Sequence, residues 1–297
     1  VPQFATANKG HRRQGMNAVV LHTEEPIWES REMRTLETEF QDARIHDRWR
    51  NVYRSDPRTE RLNDRKYARI MGRIKPSESL RVLDAGCGSG EHARRFARMG
   101  HSCVGVDLSA GVLDAAKAAA ERDGLSPSRV DFRQAAMEAL SFEDASFDLV
   151  HCRGVLMHIP AWQTALSELV RVLKSGGHVV LFENNQTALE HALIRALRLV
   201  RTGDSRLMRT PSGDEFHTTA DGEAPLTRIL SQRVLTRELG RLGVRLLSRF
   251  AGDFWDLNRF SSGWPRRLAS AWNAAWFGLG LPWLPCSGTI TIGVKSG

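Results

Sequence analysis

The stretch VLDAGCGSGEHARRF, Val82–Phe96, decides how this chain folds. An apolar run ends in an acid, Asp84. Glycines follow at positions 86, 88 and 90, and a helix-forming run begins at Glu91. A glycine turn between a buried strand and a helix offers backbone N–H groups to an anionic ligand. The dinucleotide form of such a turn is G-x-G-x-x-G. Here the third glycine comes one position early and Glu91 stands in its expected place. Two carboxylates beside a pyrophosphate are electrostatically unfavourable. They suit a ligand with an ammonium group, while the glycine N–H groups can still donate to a carboxylate. An amino-acid moiety meets both demands.

Outward from this turn the pattern repeats. The segments LRVLDAG, SCVGVDLS, RVDFRQAA, SFDLVHCRG and HVVLFEN read as strands, with helical runs between most of them. Strands that are apolar almost throughout, alternating with helices, predict βαβ units and a parallel sheet covered on both faces. A second acid, Asp107, ends the second strand about 20 residues past the turn, where such folds place a carboxylate for the two ribose hydroxyls. The ligand therefore has an amino-acid end and a ribose.

The 297 residues allow one α/β domain with inserts or two small domains. The net charge of +8 is carried mostly by arginine and is open to two readings, a solvated surface or an anionic partner. None of the four cysteines, 87, 103, 152 and 286, has C-x-x-C spacing, which argues against a zinc ribbon or redox pair, and no metal site is expected. This usage fits a reducing cytoplasm. The first 20 residues are polar and basic without a sustained apolar run. Between Arg267 and Lys295 the chain is uncharged, but prolines and glycines interrupt it, so a membrane span is rejected and interfacial contact stays open.

The segments VLDAGCGSG, VGVDLS, ALSFEDASFDLVHCRGVLMHIP and VLKSGGHVVLFE, in this order, resemble the successive motifs of class I S-adenosylmethionine-dependent methyltransferases, over about Leu80 to Glu183. The resemblance implies a Rossmann-like, seven-stranded, mostly parallel α/β sheet with helices on both faces and an antiparallel last strand. The organisation expected is a flexible tail over 1–26, a helical cap over 27–76 and the catalytic domain over 77–297. Inserts follow strands 5 and 6, at about 184–229 and 251–287. S-adenosyl-L-methionine is the implied cofactor. Asp84, Gly86 and Gly88, with Ala85 and Cys87 between them, would hold its methionine part. Asp107 would bind the ribose and Leu108 pack on adenine. Relatives often carry an acid after the third strand. Ala136 stands there in this chain, which leaves Met137 and Glu138 near the ring. Cys152 and Arg153 would line the methionine side.

The sulfonium already activates the methyl group, so a base is needed only for a hydroxyl or a charged amine. His158 is the base candidate, against a structural role bonding a backbone carbonyl. Glu183 ends the fifth strand on the same edge, followed by Asn184 and Asn185. The segment 184–229 reads as irregular, with TPSGDEFHTTADGEAP as a loop that contains His217. The aromatics Trp28, Trp49, Tyr53, Phe254, Trp255, Trp264, Trp272 and Trp276 are available to line an acceptor pocket or to form the inserts' own small core. Trp272 and Trp276, behind Arg266 and Arg267, could also touch a membrane.

The expected reaction is methyl transfer to an oxygen or nitrogen of a small-molecule, secondary-metabolite or saccharide acceptor. A nucleic-acid methyltransferase is the alternative. Against it, neither a D/N-P-P-Y/F/W run nor a Pro-Cys nucleophile follows the fourth strand. A non-catalytic cofactor-binding subunit is the third reading, and the long inserts argue for an acceptor site of its own.

Overall fold

A computed structural model describes residues 57–200, 206–217, 226–260 and 263–297. Seven strands form one sheet: β1 (Arg81–Ala85), β2 (Ser102–Asp107), β3 (Val130–Gln134), β4 (Phe147–Arg153), β5 (Leu173–Asn184), β9 (Val244–Ala251) and β10 (Gly288–Lys295). Their order is β3-β2-β1-β4-β5-β10-β9. All ladders from β3 to β5 are parallel, and β10 runs antiparallel to both β5 and β9. This is the doubly wound sheet with a reversed strand that the motifs imply.

Seven helices lie within the described residues: α1 (Pro57–Ile74), α2 (Glu91–Arg98), α3 (Ala110–Arg122), α4 (Trp162–Arg171), α5 (Leu189–Val200), α6 (Gln232–Arg241) and α7 (Trp264–Gly278). Alternation along the strands separates two cores. Val82, Leu149, Val180 and Ile290 face Tyr67 and Ile70 of α1, Phe96 of α2 and Leu113 of α3. Leu83, Val150 and Leu181 face Trp162, Leu166 and Leu169 of α4 and Leu235 and Leu239 of α6. Each such large apolar side chain contributes about 1.5–3 kcal/mol when fully buried.

The first insert differs from the irregular segment expected of it. It contains α5 and a three-stranded antiparallel sheet of β6 (Arg206–Thr210), β7 (Gly213–His217) and β8 (Thr227–Leu230), with β7 in the middle. The TPSG segment is a tight hairpin turn between β6 and β7. A Cβ on Gly213 would lie 2.0 Å from the Ile229 carbonyl oxygen, so only glycine lets the third strand pair there. His217 ends β7 instead of lying in a loop. Of the N-terminal cap, α1 is described, while the expected tail and Trp28, Trp49 and Tyr53 lie outside the described residues.

Candidate active site

The glycine turn sits at the carboxyl edge of β1. Gly86, Gly88 and Gly90 have φ of 71°, 52° and 71°, the left-handed region that glycine enters at least cost. They do different work. A Cβ on Gly86 would strike Val155 at 2.3 Å, and one on Gly90 the Phe132 ring at 2.6 Å. A Cβ on Gly88 meets nothing within 4 Å. Two of the glycines thus close-pack the turn, and the third leaves open space over it. The Gly88 N–H donates to Asp107 Oδ2 at 2.9 Å, and the Ser109 N–H to Oδ1 at 3.1 Å. The ends of β1 and β2 are tied at the expected ribose position.

Around this edge the sequence candidates are exposed to different degrees. Ala85, Cys87, Met137 and Cys152 are buried, so Ala85 and Cys152 reach a ligand through backbone only. Leu108, Glu138 and Arg153 are half-buried. Burial pushes the Glu138 carboxyl upward.

Both acids that flank the turn already have partners. Glu91 accepts from Arg95, which also bonds Glu60 and Asp64 of α1. Asp84, 1% exposed, has Oδ1 at 2.7 Å from His151 Nδ1, and its Oδ2 is buried without a hydrogen bond. The far side of His151, Nε2, lies 2.9 Å from the Tyr67 hydroxyl. Nδ1–H donating to Asp84 and Nε2 accepting from the Tyr67 hydroxyl would satisfy both neighbours. Burial raises the Tyr67 phenol and keeps it protonated.

A second cluster, of which the sequence analysis named only Arg153, lies beside this chain of contacts. Lys66 of α1 is 1% exposed and donates to Asp253 Oδ1 at 2.7 Å. Arg153, at the end of β4, has its guanidinium 4.0 Å from Asp253 and 3.3 Å from the Asn63 side-chain oxygen. The Phe182 ring packs against both cations, 5.2 Å from Lys66 Nζ and 4.2 Å from the Arg153 guanidinium carbon. Burial pulls the Lys66 ammonium down to about 8 against the attraction of Asp253. His92, stacked on Tyr67 at 5.1 Å, is driven well below the ordinary imidazole range by burial and then by Arg153. The signal was available: Asn63 and Lys66 interrupt the buried stripe Leu62, Tyr67, Ile70 and Ile74 of α1.

On the opposite face of the sheet, Glu183 is 1% exposed and neither carboxyl oxygen makes a hydrogen bond. The backbone N–H groups of Gly154–Met157 approach without reaching hydrogen-bond geometry. Burial outweighs them and lifts the carboxyl to about 8. His158 Nδ1 lies 2.8 Å from the Leu226 carbonyl oxygen, which fastens the turn after β4 to the strand β8 of the first insert. Burial lowers its pKa. Asn184 grips β8 through the Leu230 N–H and the Arg228 carbonyl, both at 2.8 Å. Asn185 donates to the Leu284 and Cys286 carbonyls of the second insert. Both inserts are thus hydrogen-bonded to the carboxyl end of β5. Phe254, Trp255 and Trp276 pack as a small core of the second insert, with Phe254 and Trp276 centroids 4.5 Å apart. Trp264 points outward, and Trp272, half exposed, packs the other half of its surface against Phe254 and Trp276, with centroids 5.9 and 6.0 Å away.

Residues 83–181 match the family model described as a methyltransferase domain. This segment, about a third of the chain, is a methyltransferase domain of the S-adenosylmethionine-dependent kind. Among similar curated proteins, the uncharacterized methyltransferase YcgJ of Bacillus subtilis is 36% identical over 104 residues, 35% of this chain and 40% of that one. A ubiquinone biosynthesis O-methyltransferase of Chelativorans sp. is 35% identical over 129 residues, 43% of this chain and 50% of the relative. A tRNA 5-carboxymethoxyuridine methyltransferase of Escherichia coli K12 is 35% identical over 127 residues, 42% and 48% of the two chains. The chain thus spans about half the length of these curated relatives. The magnesium protoporphyrin IX methyltransferase of Synechocystis PCC 6803, solved with bound SAH, shares the fold at a TM-score of 0.61 and 15% identity, covering 89% of this chain and all of that one.

The residues of the methyltransferase domain fit its cofactor. Open space over Gly88, left-handed turn N–H groups and the half-buried Asp107 carboxylate make a cradle for an aminoacyl nucleoside.

Proposed function

We propose that this protein methylates an oxygen or nitrogen of a small-molecule or saccharide acceptor. The observation that carries the proposal is the Gly88–Asp107 clamp at an open turn, on the carboxyl edge of the sheet to which both inserts are hydrogen-bonded. When bound, S-adenosylmethionine supplies an electrophilic methyl group on its sulfonium. Asp107 accepts the ribose hydroxyls. Leu108, Met137 and Glu138 border adenine. The backbone of Asp84–Gly88 and the Cys152–Arg153 segment hold the methionine end. Lys66, Phe182, Arg153 and Asp253 bound the neighbouring space, where they orient the acceptor and exclude water. His158 is spent holding the first insert, and Glu183 stays a neutral acid beneath the edge.

Calorimetry with S-adenosylmethionine tests the first step. Asp107→Ala removes charge-assisted hydrogen bonds and weakens affinity about 10- to 100-fold. Unchanged affinity overturns the reading. RNA methylation is the second reading, supported by the likeness to a tRNA methyltransferase and the +8 charge. RNA binding with a steep salt dependence would favour it.

A further inference from the structure

The solvent face of α7 is apolar, and its buried face is partly polar. Trp264, Leu268 and Trp272 recur every fourth residue and are 73%, 61% and 50% exposed. Ala271 and Ala275 continue the same exposed side, and Leu279, 74% exposed, follows just past the helix. The buried side carries Ser270 and Asn273, the latter bonded to both the N–H and the carbonyl of Trp255 at 2.9 Å. A surface helix ordinarily shows the reverse polarity. No Asp or Glu occurs from Trp264 to Gly297.

A basic ridge flanks this stripe. The guanidinium groups of Arg65 and Arg69 on α1 lie 5.8 and 4.4 Å from the Phe277 ring centroid of α7. Successive turns of α1 carry Arg58, Arg61, Arg65, Arg69 and Arg73. Pro57, Arg58 and Arg61 share an open depression of about 410 Å³ with Arg267 of α7. The acids of α1, Glu60 and Asp64, turn away to Arg95.

We propose that this face of α7, with the flanking arginines, docks the protein on the surface of an anionic lipid bilayer. Tryptophan favours the headgroup level, leucine the acyl boundary, and arginine the lipid phosphates. No helix among the described residues is long and apolar enough to cross a membrane, so the contact is lateral. A second copy fits the face less well, because two-fold packing brings the arginine ridges towards each other. The proposal does not depend on the methyl-transfer reading.

Co-sedimentation of the full chain with vesicles tests it, comparing pure phosphatidylcholine with phosphatidylcholine containing about one third phosphatidylglycerol. The wild type binds the anionic vesicles and releases them at high salt. The Leu268→Glu/Trp272→Glu pair abolishes binding without changing the circular dichroism spectrum or the S-adenosylmethionine affinity. Arg61→Glu and Arg267→Glu each weaken binding at least roughly fivefold. Three results overturn the proposal: no wild-type binding to anionic vesicles, variants that bind as the wild type does, or a dimer dispersed by the glutamate pair in a protein that ignores vesicles.

Discussion

The Tyr67 hydroxyl on α1 lies 2.9 Å from Nε2 of His151 on β4, and the other nitrogen of that ring reaches Asp84 at the glycine turn. A helix outside the sheet is thereby hydrogen-bonded into the cofactor edge through one buried imidazole. Tyr67→Phe orphans Nε2 and costs about 1–3 kcal/mol. His151→Leu costs more, because it leaves both Asp84 oxygens buried without a partner. Their double variant costs less than the sum, since the two changes delete one shared contact. Urea denaturation of the four proteins gives these values. An additive double variant would show that the two contacts are uncoupled.

The three glycines separate packing from binding. Gly90→Ala drives a methyl into the Phe132 ring at a left-handed backbone position and destabilises by about 2–4 kcal/mol. Gly88→Ala meets no neighbour and bears only the backbone cost of about 1–2 kcal/mol. It fills the space over the turn, so its loss of S-adenosylmethionine affinity exceeds its loss of stability. Thermal melts and calorimetry on both variants measure the contrast.

Glu183 makes the protein less stable as pH rises. Its folded pKa of about 8 lies above the ordinary 4.5, so the folded state binds the extra proton between these values. The contribution is complete below pH 4.5 and is lost as pH climbs through 8. Glu183→Gln, neutral at every pH, flattens the stability profile in this window by up to about 1.4 kcal/mol per pH unit. Denaturation midpoints from pH 5 to about 8.5 follow the effect across the carboxyl's folded pKa.

Lys66 behaves in the opposite sense. Its folded pKa of about 8 is depressed from 10.5, so stability rises from pH 8 to 10.5 as the buried ammonium loses its proton, and falls as pH drops through 8. Asp253→Asn leaves the cation buried without its partner and costs about 3–5 kcal/mol at neutral pH. Part of this cost returns above pH 8. Lys66→Met costs less, because the Asp253 side chain is 22% exposed and water can solvate it. If both variants lose the same stability at neutral pH, the pair is not what holds α1 to the second insert.

The main sheet was legible because its inner parallel strands β1, β2, β4 and β5 are buried on two faces and so write nearly continuous apolar runs, as in VLDA or VVLF. The turn, Asp107 and the reversed last strand followed from motif order. The sheet β6–β8 left no such trace. Its short strands are polar, and what fixes them lies far away: Asn184, and the Arg228 guanidinium bonded to the Ile159 carbonyl at 2.8 Å. The two carboxylates that the sequence offers to a ligand ammonium each have a protein partner in the structure. Sequence distance hid the partner of Asp84, since His151 stands 67 residues away, whereas Glu91 meets Arg95 within one helical turn and that pair was in plain view. His151 itself sits at a buried position of β4, where a polar ring among Leu149 and Val150 marks a needed contact.

Asn184 and Asn185 are consecutive, yet each clasps a different insert. Alternate side chains leaving β5 thus serve as two separate seams. Each insert is therefore anchored on its own, and loss of one asparagine side chain loosens one of them while the bonds to the other persist.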